Sequence, residues 1–147
     1  MPKKLLVTYN AMDGIPLGRF ETGNVIVYSG DYGRQKYANV PGIPDSQAQE
    51  AEAKVKELAG AIGAELPNID EAYVYVGAAA MDGAMRLIRD LRKAGKQVTM
   101  IFCDCCASAK LKMAAELQVP HIKCECGGRI TCAQLVRQLA AGDPANN

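Results

Sequence analysis

QVTMIFCDCC, residues 97–106, is the stretch on which the reading of the chain turns. Its first seven residues are a nearly continuous run of apolar and β-branched side chains, the pattern of a strand buried on both faces in a parallel sheet. The run ends in three cysteines within four residues, Cys103, Cys105 and Cys106. The chain has six cysteines, none before position 103 and the last at 132. Cysteines used only as small apolar core residues would be scattered. These gather at the end of one predicted strand and, as Cys124 and Cys126, at the end of another.

Further strands are predicted at residues 4–9 (KLLVTY), 72–77 (AYVYVG) and 121–124 (HIKC), with a further candidate at 24–28 (NVIVY). Between them lie helical patterns with legible ends. Asp45 and Ser46 open the first, and Ser46 with Gln49 has the spacing of a capping box. Ala48, Ala51, Val55, Leu58, Ala59 and Ile62 share its apolar face, and Gly63 is its predicted stop. Asp82 heads a second helix with Met85, Ile88 and Leu91 inward and Gly95 at its end. Asp104 is the cap of a third, with a stripe of Leu111, Ala114 and Leu117 closed by Pro120. Thr131 and Gln134 repeat the capping-box spacing before a last helix bearing Leu135, Val136 and Leu139.

Strands alternating with helices form βαβ units, whose right-handed crossovers make a sheet mostly parallel. The expected fold is α/β: a three-layer α/β/α sandwich on an open, mostly parallel, Rossmann-like sheet of four or five strands, with a hairpin or loop insertion near the N-terminus. The expected organisation is one domain over residues 1–142, with 10–44 as the insertion and 143–147 as a disordered tail. Residues 10–44 carry six glycines and three prolines and interrupt the βα rhythm; 20–28 reads as a hairpin or edge strand, and 29–44 as a long loop suited to a lid or a dimer arm. AMDG occurs at 11–14 and again at 80–83, each time just past a strand, where Asp-Gly suits a turn.

A chain of 147 residues with 49% hydrophobic and 22% charged residues is ordinary for a globular protein. A formal net charge of +1 supplies no global field toward nucleic acid or anionic lipid. The interleaved Tyr32, Arg34, Lys36 and Tyr37 are too few to change that reading. Neither nucleic acid nor a membrane is an expected partner, whereas a redox partner, a partner enzyme or a second copy of the chain stays open. LLV at residues 5–7 is too short for the apolar region of an export signal. The expected location is cytoplasmic, where thiols stay reduced and clustered cysteines point to metal or redox chemistry rather than a disulfide framework.

Ligands of open parallel sheets bind at the carboxyl ends of the strands, where both cysteine groups are expected. Cys103, Cys105, Cys106, Cys124, Cys126 and Cys132 are therefore candidate metal ligands: Cys103 or Cys106, with Cys105, Cys124 and Cys126, as the set, and Cys132 as a substitute. A tetrahedral zinc takes four thiolates, as does an iron–sulfur cluster, and the spacings here select neither. Cys105, Cys106 and Cys132 fall in predicted first helical turns, where the helix dipole favours thiolate. The same residues suit a second chemistry, because Cys103 and Cys106 form a C-x-x-C at a strand-to-helix turn, the arrangement of a thiol redox or sulfur-transfer enzyme. A third reading is a small-molecule-binding regulatory subunit with a structural metal. Burial as inert apolar residues accounts for one cysteine more readily than for six.

VGAAAMDG at 76–83 lacks a dinucleotide-binding spacing, yet its small residues admit an anion or nucleotide at a helix N-terminus, so Gly77 and Asp82 are cofactor-binding candidates. SGDYGRQK at 29–36 lacks the spacing of a phosphate loop. His121 is the only histidine and begins a strand, away from the cysteines, which suits a structural role better than a ligand or a base.

Overall fold

The computed structural model describes residues 3–8, 18–29, 45–76, 81–103, 107–124, 134 and 138. These form a mixed α/β structure. The strands are β1 (Lys3–Thr8), β2 (Gly18–Thr22), β3 (Val25–Ser29), β4 (Ile69–Tyr75), β5 (Gln97–Cys103) and β6 (His121–Cys124). The helices are α1 (Asp45–Glu65), α2 (Met81–Lys93) and α3 (Ala107–Leu117), with a short 3-10 turn at Leu66–Asn68. The sheet order is β2-β3-β1-β4-β5-β6, parallel throughout except for the antiparallel β2–β3 hairpin at one edge.

Six strands replace the four or five expected. The addition is β2, whose GRFET carries Arg19 and Glu21 and so lacks an apolar run. Charged side chains are what an edge strand uses to discourage further pairing. The expected hairpin over 20–28 is thus part of the sheet, with its first strand beginning earlier, at Gly18. The hairpin turns at Gly23, with φ of 57°, and places β3 beside β1, where Leu5 pairs with Ile26 and Val7 with Tyr28.

From β3 onward each crossover moves the chain the same way across the sheet: over β1 to β4, then to β5, then to β6. Right-handed connections that all advance in one direction lay their helices on one face. One buried cluster accordingly joins Leu58 and Ile62 of α1, Leu87, Ile88 and Leu91 of α2, and Met113, Ala114 and Leu117 of α3. They pack on alternate strand residues, among them Leu5, Val7, Ala72, Val74, Val98, Met100 and Phe102. The intervening residues Leu6, Val25, Val27 and Ile101, on the second face, are buried as well.

Two helical expectations change. The stop at Gly63 is overturned, because α1 runs on to Glu65; Gly63 is exposed and helical, and Ala61 rather than Ala59 packs against the core. The stripe of α3 is rotated by one residue. Leu111 is 38% exposed, while Lys110, Met113, Ala114 and Leu117 face inward. An apolar count favours Leu over Lys at an inner position, and the packing against β5 and β6 decided otherwise. Gly95 does end α2, with φ of 82° and the Gly95 and Lys96 amides donating to the carbonyls of Arg92 and Leu91. At the end of α3 the same left-handed position is held by Gln118, and the Arg92 guanidinium donates to the Leu117 and Gln118 carbonyls. The proposed cap Asp104 lies outside the described residues, as does the last helix except for helical Gln134 and Gln138.

The hairpin is fastened to α1 through Glu65. Its Oε2 accepts from Arg19 Nε at 2.6 Å and from the Tyr28 hydroxyl at 2.8 Å. A carboxylate at the negative end of a helix dipole is unfavourable by itself, and α1 has no basic residue in its last turn. Arg19, reaching across from β2, supplies the missing charge. Its hydrogen bond holds the Glu65 carboxyl below the ordinary 4.5. The pair therefore stabilises the fold at neutral pH, and that contribution fades as the pH falls below 4.5 through the depressed folded-state value. Glu65→Gln is expected to cost about 1 kcal/mol at neutral pH and to flatten the acid side of the stability profile, read by urea titrations between pH 3 and 7.

Candidate thiol site at the carboxyl edge of the sheet

β5 and β6 are neighbours, and their pairing places Met100 beside His121, Ile101 beside Ile122, Phe102 beside Lys123 and Cys103 beside Cys124. The two cysteine groups, separated by about twenty residues of helix and turn, thus begin at one register row, each as the last residue of its strand. Adjacent strands lie about 4.8 Å apart. Side-chain direction alternates along a strand, so Ile101 lies on the face opposite to the helix-packed Met100 and Phe102.

Of the six candidate ligands, Cys103 and Cys124 are brought together. Cys105, Cys106, Cys126 and Cys132 lie outside the described residues, and so does Gly77. Asp82 is the second residue of α2, at the carboxyl edge of β4, the position from which a helix N-terminus meets a ligand. Among the described residues no group of three or more His, Cys, Asp and Glu side chains gathers where it could hold a metal ion. His121, exposed at the start of β6, stacks on Phe102 with ring centroids 5.4 Å apart and planes 26° apart. That contact is on the helix-covered face.

The same edge holds three polar side chains that composition did not single out. Thr8 and Ser29, the last residues of β1 and β3, are register partners, 0% and 1% exposed. Among the described residues neither hydroxyl has a hydrogen-bond partner. The third is Lys110, in the first turns of α3 and 1% exposed. The signal for the hydroxyls was present in the sequence as polar residues ending apolar runs, VT and YS; nothing but packing could show that they are enclosed.

Comparison with protein-family models, with curated proteins and with solved structures returned no match. No helix among the described residues is long and apolar enough to cross a membrane.

A buried hydroxyl without a partner carries a desolvation cost that an apolar group of the same shape does not. Thr8→Val is therefore expected to leave stability unchanged or raise it by about 1 kcal/mol, measured by urea unfolding. A loss of 2 kcal/mol or more would mean that the hydroxyl has a bonding partner after all.

Proposed function

We propose that the chain is a metal- or iron–sulfur-binding protein whose thiolate ligands meet at the carboxyl edge of β5 and β6. The observation that carries the reading is the register of Cys103 with Cys124. Two thiolates bound to one zinc or iron at about 2.3 Å in tetrahedral geometry have sulfurs roughly 3.8 Å apart. Neighbouring strand positions at about 4.8 Å suit that separation. Each of the two positions is followed within two residues by another cysteine, Cys105 and Cys126, so the segments that supply a third and fourth ligand start from the same row. Cys106 and Cys132 are the remaining candidates. The bound group would neutralise the clustered thiolates and supply either a structural cross-link or an electron-transfer centre, for metal handling or for a partner enzyme.

A second reading uses the same register differently. Disulfide partners have Cα atoms roughly 4.4–6.8 Å apart, a range that includes neighbouring strands. Cys103 and Cys124 thus suit a redox pair, as well as Cys103 and Cys106 do, in a thiol redox or sulfur-transfer enzyme. Both readings favour a reducing, cytoplasmic setting. The burial of Leu6, Val27 and Ile101 supports the three-layer, Rossmann-like architecture, in which the second face is covered as fully as the first.

Elemental analysis and a visible spectrum on protein purified without oxygen separate these readings. Stoichiometric zinc, or iron with sulfide and a brown colour, is the expected result, with Cys103→Ser/Cys124→Ser losing most of the metal and melting at a lower temperature. Metal-free protein with six titratable thiols would end the metal reading. An oxidised form that links Cys103 to Cys124 on peptide mapping would then establish the redox pair.

A further inference from the structure

Thr8 and Ser29 end β1 and β3, pair in register and are buried, yet neither hydroxyl has a hydrogen-bond partner among the described residues. Buried hydroxyls are nearly always bonded, because an unmade bond leaves their desolvation uncompensated. One such group is an isolated cost; two in one row of neighbouring strands are a shared feature. Both fall on the same face of the sheet. Leu5 and Val7 of β1 and Ile26 and Tyr28 of β3 belong to the helix-packed cluster, whereas Leu6 and Val27 are buried outside it. Thr8 and Ser29 stand two residues beyond Leu6 and Val27, and so share their face.

The row lies where the strand order turns. The chain leaves β1 toward β2 and β3 on one side and leaves β4 toward β5 on the other. β1 and β4 are therefore neighbours with diverging exits, the topological switch point at which an open α/β sheet has its ligand crevice, beyond the carboxyl ends of its strands. Thr8 borders that crevice directly. Its register partner on β4 is Tyr75, half-buried and the last residue of its strand. Ala72 and Val74 face the helices, which sets Tyr75 on the same face as Thr8 and Ser29. Strand order and the unpartnered hydroxyls are independent observations, and they mark one place.

The row Ser29–Thr8–Tyr75 contains no Lys, Arg, Asp or Glu, and apolar Leu6 and Val27 precede it on the same face. Apolar surroundings with a few convergent polar groups are the usual lining of a small-molecule site. Register partners stand about 4.8 Å apart, and two O–H donors at that spacing reach one acceptor oxygen at about 2.8 Å each. An uncharged carbonyl or amide oxygen suits them, whereas a phosphate or carboxylate would find no counter-charge in the row. The Tyr75 ring offers a second aromatic ring an offset or edge contact.

We propose that the β1–β4 crevice binds a planar heteroaromatic ring through a carbonyl or amide oxygen, which accepts from Thr8 Oγ1 and Ser29 Oγ while the ring lies against Tyr75. Nicotinamide and the flavin ring system belong to this chemical class. The inference goes beyond the thiol reading and does not require it. Both hydroxyls are closed to solvent, so the ligand enters by local opening at the rim.

The test is thermal unfolding of the full chain, purified without oxygen, with and without about 1 mM nicotinamide adenine dinucleotide or flavin mononucleotide, and with glycerol phosphate at the same concentration as a phosphoryl-only control. At least one ring-bearing probe is expected to raise the wild-type melting temperature by about 3 °C or more, and glycerol phosphate is expected to leave it unchanged. Thr8→Val and Ser29→Ala should each weaken binding of that probe at least about tenfold, since each leaves the carbonyl with one donor fewer. Without a probe Thr8→Val should melt no lower than wild type. Cys103→Ser/Cys124→Ser should keep the response, which separates this site from the thiol site. A rise with neither ring-bearing probe, an equal rise with glycerol phosphate, unchanged binding in both hydroxyl variants, or loss of the response in the cysteine variant would each overturn the proposal.

Discussion

The parallel run of β3, β1, β4, β5 and β6 governs the rest of the molecule. Because the strands share one direction, the connections out of β3, β4 and β5 leave from the same edge and return along the sheet through a helix, while β1 reaches β3 through the antiparallel β2. Because the last three crossovers advance in the same direction, their right-handedness lays α1, α2 and α3 on a single face. Apolar burial is thereby concentrated between that face and the helices, and the chemistry-bearing residues that end strands are collected at one rim: Thr8, Ser29, Cys103 and Cys124. The edge hairpin is the exception in direction, and the Arg19–Glu65–Tyr28 contacts attach it to the helical layer.

The buried polar residues follow the same division. Thr8, Ser29 and Lys110 are all near the carboxyl rim, the first two on one face of the sheet and the third on the other. At the amino end, polar groups are instead paired near the surface, as in the Lys4–Glu71 contact at 3.5 Å and the Lys3–Glu21 contact at 2.5 Å. Polar groups enclosed without partners cost stability, and a fold keeps such costs most often where it binds or reacts. The rim therefore collects the enclosed hydroxyls of Thr8 and Ser29 and the register pair Cys103 and Cys124.

Much of this architecture was legible from residue pattern. QVTMIFC and HIKC coincide with β5 and β6, and Gly95 ends α2 because only a residue tolerant of positive φ fits there without strain. The hairpin over 20–28 was legible, whereas its extension back to Gly18 was not, since an edge strand carries charge on its exposed positions and has no apolar run. Gly63 misled because a glycine in an exposed helical turn merely weakens the helix and does not end it. Leu111 and Lys110 exchanged expected roles because periodicity fixes the spacing of a stripe but leaves its phase to the neighbouring elements.

By itself the sequence determined the class of fold and the clustering of cysteines after strands, since both depend on local composition and spacing along the chain. It could not determine which strands are neighbours, because pairing depends on crossover direction and register rather than on any single segment. That Cys103 stands beside Cys124, that Thr8 stands beside Ser29, and that a lysine is enclosed at the N-terminal end of α3 were decided only when the sheet assembled and the helices packed on it.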